Sequence, residues 1–148
     1  MIDEFALELR RLVYDAAIER CTIPSKAALV SETGASLAKV EDALRELAEA
    51  HQLVLQRDSG EVLMANPFSA VPTPFVVTIA DRSWYGNCIW DGMGIAAMIG
   101  AGARIDASCG CCGTAMTLAI PGDCRADDAR VAHFAIPAAH WWDDIVFN

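Results

Sequence analysis

A thiol and a carboxyl group that could share a proton stand three residues apart, at Cys88 and Asp91, within the segment 87–92. A thiolate is a preferred ligand of soft metal ions. A carboxyl group held close to it can accept the thiol proton and pass it on. The pair therefore suggests chemistry on a soft metal, in which sulfur holds the metal and the acid moves a proton.

The residues that follow Cys88 predict how this pair is held. Residues 89–99 are apolar and small and are followed by Gly100, which predicts a helix. Cys88 would begin this helix, where the helix dipole lowers the pKa of a thiol. Asp91 would lie one turn further, on the same side. The structural alternative is that Cys88 is a small buried apolar residue and Asp91 a helix cap.

A second group of thiols begins eighteen residues after Asp91, in the turn Cys109-Gly110-Cys111-Cys112-Gly113. Three cysteines in a glycine-rich turn are poorly suited to core packing. Thiolates so close together suit Zn(II), Cu(I) or Hg(II). We therefore expect a set of soft-metal ligands made of Cys88, Cys109, Cys111 and Cys112.

A structural zinc site is the alternative reading of this turn. Cys124 and His133 could complete a set of four ligands. Their spacing, however, matches no common zinc motif, and structural zinc ligands usually come as two separated pairs.

Composition and charge exclude several classes of protein. The chain has 148 residues, of which 54% are hydrophobic and 21% charged, and its net charge is −9. These values indicate a folded protein and argue against binding to nucleic acid or to an anionic membrane. No segment approaches the roughly 18 apolar residues of a membrane span. The N-terminus lacks the pattern of a signal peptide, so we expect a cytoplasmic protein whose six cysteines stay reduced.

The first 65 residues have the pattern of a winged helix, with three amphipathic helices followed by a hairpin. The helices are predicted at residues 3–20, from Pro24-Ser25 to Gly34, and from Ser36 onwards, and the hairpin strands at 53–56 and 62–65. Winged helices often bind DNA, but residues 1–65 hold seven Lys or Arg against twelve Asp or Glu. We therefore interpret this unit as structural and expect no nucleic-acid partner.

The whole chain is predicted to belong to the α+β class. A winged-helix-like domain at 1–65 is followed by a proline-containing linker at 66–74 and by a small mixed or antiparallel sheet domain at 75–148 that carries the Cys-x-x-Asp helix. Strands are predicted at 75–80, 84–87, 103–107, 114–120 and 131–136, with a turn at 81–83. A helical turn is expected at 138–144 and the start of a final strand at 145–147.

This order of elements and motifs resembles the organomercurial (alkylmercury) lyase family over nearly the full length. The residues that carry the resemblance are Tyr85-x-Asn87-Cys88-x-x-Asp91, then Gly100-x-x-Ala103-Arg104-Ile105, then Cys109. Members of that family cleave a carbon–mercury bond by protonolysis and release a hydrocarbon and Hg(II). The resemblance implies that Cys88 captures mercury, that Asp91 shuttles the proton, and that Cys109 has a structural part.

One family feature is expected to be missing. Counting from Pro137, the family's second mercury-binding cysteine falls at or just beyond Asn148, so we expect a shortened chain that lacks it. Cys111 and Cys112 could supply that thiol if their turn folds over Cys88. Two thiolates activate the mercury–carbon bond better than one, so the chain could also bind an organomercurial without turning it over.

Three hypotheses follow from the sequence. The first is an organomercurial lyase-like enzyme that requires no cofactor, acts on a small organomercurial and leaves Hg(II) on its thiols. The second is a non-catalytic binder or sensor of soft metal ions such as Hg, Cu or Zn. The third is a winged-helix regulator with a metal-sensing half, which the acidic third helix disfavours. An unfinished final strand would also favour a homodimer.

Overall fold

A computed structural model describes residues 2–100, 102–123 and 129–146. Its helices are α1 (Glu4–Arg20), α2 (Lys26–Thr33), α3 (Leu37–Glu49) and α4 (Ile89–Ile99), with a short 3-10 helix at Ala138–Asp143. Its strands are β1 (Val54–Leu55), β2 (Val62–Ala65), β3 (Phe68–Ser69), β4 (Phe75–Ile79), β5 (Arg82–Gly86), β6 (Ala103–Ser108) and β7 (Ala115–Ile120).

The seven strands form one sheet in the order β1-β2-β3-β5-β4-β6-β7. Every pairing between neighbours is antiparallel. The α+β class, the N-terminal helices and the antiparallel sheet are thus confirmed. The resemblance of the first unit to a winged helix stays a prediction.

The N-terminal helices begin and end where the sequence predicts. The side chains of Asp3, Ser25 and Ser36 accept hydrogen bonds from the first turns of α1, α2 and α3. Such side chains satisfy backbone N–H groups that have no partner within the helix. Gly34 ends α2 with a φ of 69°, a left-handed conformation that glycine adopts at low cost.

Two hydrophobic clusters stabilise the molecule. The first fills the space between α1, α2, α3 and the β1–β2 hairpin, with Leu9, Leu29 and Leu44 fully buried. The second lies between α4 and the sheet and includes Ile95 and Ile105. Helix α1 also reaches the second cluster through Ala17.

Hydrogen bonds from β5 to the end of α1 reinforce this junction. The indole Nε1 of Trp84 donates to the carbonyl oxygen of Ala17 at 2.7 Å in a buried position. The guanidinium of Arg82 donates to the carbonyl oxygen of Ile18. The helical unit and the sheet are therefore in direct contact.

The segment predicted as a linker, 66–74, contributes a strand to the sheet. It begins with a cis peptide bond between Asn66 and Pro67 and continues into β3, where Phe68 is 2% exposed. β3 joins the β1–β2 hairpin to β5, so the sheet is continuous across the predicted boundary. The division at 1–65 and 75–148 stays a prediction.

Two strand predictions near the C-terminus are wrong. Residues 131–136 form no strand, and Val131 is 88% exposed. Within this segment Phe134 packs locally, since its ring lies 5.1 Å from the ring of Trp141. Residues 145 and 146 form a turn, whereas Phe147 lies outside the described residues. Short apolar runs specify a strand only where a neighbouring strand is available to pair.

The turn predicted at 81–83 is also displaced. It lies at residues 80 and 81, and β5 already begins at Arg82. Ala80 adopts a φ of 53°, which closes the turn between β4 and β5 earlier than its polar residues suggest. Among the described residues, no helix is long and apolar enough to cross a membrane.

Candidate active site

Two glycines set how closely α4 lies on the sheet. A Cβ atom on Gly86, the last residue of β5, would lie 2.9 Å from the backbone nitrogen of Gly92. A Cβ atom on Gly92 would lie 3.2 Å from Ile105 of β6. The first turn of α4 therefore sits directly against the end of β5, and its position depends on the absence of side chains there.

Cys88 is the N-cap residue of α4, as predicted, but its thiol is half-buried and makes no capping hydrogen bond. Burial raises the pKa of the Cys88 thiol, and the negative charge of Asp91 raises it further. The backbone N–H groups of Asp91 and Trp90 oppose this shift. The prediction of a lowered pKa is thus wrong, because desolvation and a neighbouring carboxylate outweigh the helix terminus.

Asp91 lies in the first turn of α4, close enough to Cys88 that each group affects the pKa of the other. Burial raises the pKa of Asp91, while the hydrogen bond from Asn87 and the neighbouring Cys88 thiol oppose the rise. Burial thus makes the Asp91 carboxylate a stronger proton acceptor than a solvated one, beside a thiol. The structure brings these two side chains together as predicted, and their catalytic roles stay predictions.

Asn87 holds the Asp91 carboxyl group from the strand side. Its Nδ2 donates to Oδ2 of Asp91 at 2.9 Å and to Oδ1 of Asn66 at 3.1 Å, and lies 3.5 Å from the carbonyl oxygen of Pro67. Its own Oδ1 is buried and has no hydrogen-bond partner among the described residues. Asn87 therefore fixes the carboxyl group between β5 and the segment that precedes β3.

Helix α1 reaches this network through Tyr14. The Tyr14 hydroxyl donates to the carbonyl oxygen of Asn66 at 2.8 Å, and the guanidinium of Arg10 lies 4.9 Å from the centre of the Tyr14 ring. Burial raises the pKa of Tyr14; Arg10 opposes this, and the charge of Asp91 adds to it.

The sequence did not single out Tyr14 or Asn66. Tyr14 lies in a helix whose apolar pattern suggests packing alone, and Asn66 falls at the start of the predicted linker. The only local signal at Asn66 is the Asn-Pro pair, which marks a turn and says nothing about a distant carboxyl group.

The cysteine-rich turn connects β6 to β7. It is closed by hydrogen bonds from the Cys109 N–H to the Thr114 carbonyl at 2.9 Å and from the Gly113 N–H to the Cys109 carbonyl at 2.8 Å. The Cys112 Sγ lies 3.1 Å from the Thr114 hydroxyl. This hydroxyl and the adjacent Cys109 thiol lower the pKa of Cys112. Cys111 is exposed.

The predicted four-cysteine set is not assembled in the structure. Within residues 2–100, 102–123 and 129–146, no three His, Cys, Asp or Glu side chains are grouped so that they could hold a metal ion. For the zinc alternative, Cys124 lies outside the described residues and His133 is exposed. Cys88, Cys109, Cys111 and Cys112 as common ligands therefore stay a prediction.

Comparisons with known proteins agree on one family. The profile of the alkylmercury lyase (MerB) family matches residues 68–147, more than half of the chain. Among solved structures, the mercury-bound form of MerB2 superposes with a TM-score of 0.63 and 16% sequence identity. The match covers 82% of this chain and 58% of MerB2, so the chain spans less than two thirds of that protein. No curated protein sequence matches the chain.

Proposed function

The chain belongs to the alkylmercury lyase family, and we propose that it cleaves a carbon–mercury bond by protonolysis. The substrate is a small organomercurial, R–Hg–X, and the products are the hydrocarbon R–H and Hg(II) held by sulfur. The observation that carries this proposal is the arrangement at the start of α4, where Cys88 is the N-cap residue, Asp91 lies in the first turn, and Asn87 donates a 2.9 Å hydrogen bond to the Asp91 carboxyl group.

Capture of the substrate is the first step. The Cys88 sulfur forms a bond to mercury, the X ligand leaves, and the thiol proton moves to the Asp91 carboxylate. The two side chains lie three residues apart at the start of one helix, which brings the carboxylate within reach of that proton. The raised pKa of Cys88 keeps the proton on sulfur until mercury binds.

Cleavage of the carbon–mercury bond is the second step. A second thiolate, supplied by a small thiol in solution, adds to mercury and pushes electron density towards the carbon. The Asp91 carboxyl group then donates its proton to that carbon, the electron pair of the mercury–carbon bond forms the new C–H bond, and Asp91 is left as a carboxylate. Burial of Asp91 favours the protonated donor.

A solution thiol is invoked because, in the described part of the chain, no third side chain joins Cys88 and Asp91 to make a metal-binding group. Of the two cysteines that the sequence offered as a substitute, Cys112 contacts the Thr114 hydroxyl at 3.1 Å and Cys111 is exposed. Membership of a lyase family also does not favour the alternative of a non-catalytic soft-metal binder.

Helices α1, α2 and α3 with the β1–β2 hairpin form a winged-helix-like module in this proposal, with a structural role. Glu41, Asp42, Glu46 and Glu49 give α3 an acidic surface, which argues against entry into a DNA groove. The contact of Tyr14 with Asn66 gives the module a place beside the site.

The test is release of benzene from a phenylmercury salt in the presence of excess thiol. In D₂O the proposal requires one deuterium per benzene, because the new C–H bond takes its hydrogen from an exchangeable carboxyl group. Cys88→Ser should abolish release, and Cys21→Ser, which leaves the site intact, should not change it. Release that persists in Cys88→Ser, or benzene without deuterium, would contradict the proposal.

A further inference from the structure

The turn between β6 and β7 carries thiols that the proposed reaction does not use. We propose that Cys109 and Cys112 form a separate two-thiolate site for mercuric ion, and that Cys111 takes no part in it. This narrows the predicted ligand set to the two cysteines that the turn brings together.

The backbone of the turn explains this selection. The hydrogen bond from the Gly113 N–H to the Cys109 carbonyl, at 2.8 Å, closes a single helical turn. Residues three apart lie on the same side of such a turn, whereas their neighbours point elsewhere. The Cys109 and Cys112 thiols therefore lie on one side of the turn, and the Cys109 thiol helps to lower the pKa of Cys112. Cys111, between them, does not share this three-residue spacing with either cysteine, although Cys111 and Cys112 are both exposed.

The turn is also held in place at both ends. Ser108 pairs with Ala115 at the base of the hairpin, and the Cys109 N–H donates to the Thr114 carbonyl at 2.9 Å. The Thr114 hydroxyl lies 3.1 Å from the Cys112 sulfur. A pair of thiols held in this way binds one ion as a chelate, and the second bond forms at a high effective concentration.

Two sulfur ligands suit mercuric ion better than zinc. Structural zinc requires four ligands in a tetrahedron, and no group of three or more His, Cys, Asp or Glu able to hold a metal is found in the described part of the chain. A soft ion that accepts two thiolates needs no further ligand. On binding from a glutathione complex, two Hg–S bonds to the protein form and two to glutathione break. The two protons pass from the cysteines to glutathione.

The position of the turn relates it to Cys88. Gly86 at the end of β5 pairs with Phe75 at the start of β4, and Val76 pairs with Asp106 near the end of β6. The turn and Cys88 therefore lie at the same end of the sheet. Only β4 separates their strands, so β5 and β6 are about 10 Å apart at a spacing of ~4.8 Å per strand.

The experiment measures retention of mercuric ion in a Cys88→Ser background, which removes the proposed catalytic thiol. Mercuric chloride is added with increasing glutathione, and bound mercury is counted after desalting. Adding Cys112→Ser should weaken retention by about 100-fold, the advantage of a chelate over a single thiol. Adding Cys111→Ser, the matched control, should change nothing. The other cysteines are the same in these variants.

Two outcomes would overturn the proposal. One is retention that survives both Cys109→Ser and Cys112→Ser, and the other is an equal loss on Cys111→Ser, which would indicate adventitious binding to adjacent thiols. If Cys109→Ser fails to fold, the loss of mercury retention in Cys112→Ser, at an exposed position, is sufficient to test the proposal. Because the assay uses inorganic mercury and no Cys88, its result is independent of whether the protein cleaves carbon–mercury bonds.

Discussion

Asp91 is a carboxyl group in a place that disfavours its charge. Burial raises its pKa above the ordinary value of 3.8, and its partners Asn87 and Cys88 only partly oppose this. Such a site is useful to a proton donor and costly to the fold, since a buried carboxylate loses hydration. Activity and stability should therefore conflict at this residue.

We expect Asp91→Asn to be more stable than the wild type at neutral pH, by about 0.5–2 kcal/mol. The folded pKa of Asp91 lies above its unfolded value, so its contribution to stability is fully present below 3.8 and is lost as pH rises through the folded pKa. The stability advantage of Asp91→Asn over the wild type should therefore shrink as pH falls towards 3.8. Urea unfolding of both proteins at several pH values measures this difference in the free energy of unfolding.

Asp106 is the control, because the pKa of its carboxyl group is shifted in the opposite direction from that of Asp91. Hydrogen bonds from Thr117 and Arg104 lower the pKa of the Asp106 carboxyl group. Its contribution to stability is present at neutral pH and is lost as pH falls through the folded pKa. Asp106→Asn should therefore give no gain at neutral pH. An Asp91→Asn variant that is less stable than the wild type at pH 7 would contradict the account.

Asn87 should act as a positioning residue for the proton donor. Its hydrogen bond lowers the pKa of Asp91, so Asn87→Ala should raise that pKa. In the complex with substrate, release requires protonated Asp91 and falls as pH rises through its pKa. The alkaline limb of single-turnover release should therefore move to higher pH, with a rate reduced by roughly tenfold at low pH from lost orientation. If the alkaline limb of the pH profile stays in place or moves to lower pH, Asn87 does not position Asp91 in this way.

At the scale of elements, the close approach of α4 to β5 determines where Cys88 and Asp91 point. Gly86→Ala places a Cβ atom 2.9 Å from the Gly92 nitrogen and 3.2 Å from the Cys88 carbonyl oxygen. Backbone atoms cannot yield cheaply, so we expect a loss of about 1–3 kcal/mol of stability and of most activity.

Gly110→Ala is the matched control for this prediction. A Cβ atom at Gly110 meets no other atom within 4 Å, and the residue lies outside the proposed reaction site. Its melting temperature and benzene release should stay at wild-type values. If Gly86→Ala behaves as Gly110→Ala does, α4 is free to shift and the site is less rigid than described.

The sequence correctly predicted the helices whose ends are determined by nearby residues. Ser25, Ser36 and Gly34 mark helix ends through local hydrogen bonds and conformation, and the helix at 89–99 matches α4 residue for residue. The predicted strands at 131–136 and at 145–146 are absent because a strand needs a pairing partner that the local sequence does not specify. The contacts of Tyr14 with Asn66 join residues 52 positions apart, beyond the reach of spacing arguments.

At the scale of the whole molecule, one sheet spans both hydrophobic clusters. The β1–β2 hairpin closes the first cluster and β3 connects it to β5, while Ala17 of α1 is buried in the second. Tyr14 also joins α1 to the site through its hydrogen bond to the carbonyl oxygen of Asn66. The N-terminal unit should therefore contribute to the order of the site as well as to its own core.

This contact predicts cooperative unfolding. The four tryptophans are Trp84, Trp90, Trp141 and Trp142, all after residue 75, whereas α1, α2 and α3 supply most of the helical circular dichroism. Tryptophan fluorescence and helical circular dichroism should therefore change together in urea, as one transition. Two separated transitions, with helices lost before or after the fluorescence change, would mean that the units fold independently.

The central claim is that Asp91 delivers the proton that releases the hydrocarbon. The most direct measurement is a single turnover of phenylmercury on the reduced protein with excess thiol, with benzene and protein-bound mercury quantified in the same sample. Asp91→Asn should still bind phenylmercury through Cys88 while benzene release falls by at least about 100-fold. Wild-type rates of release from Asp91→Asn would contradict the claim.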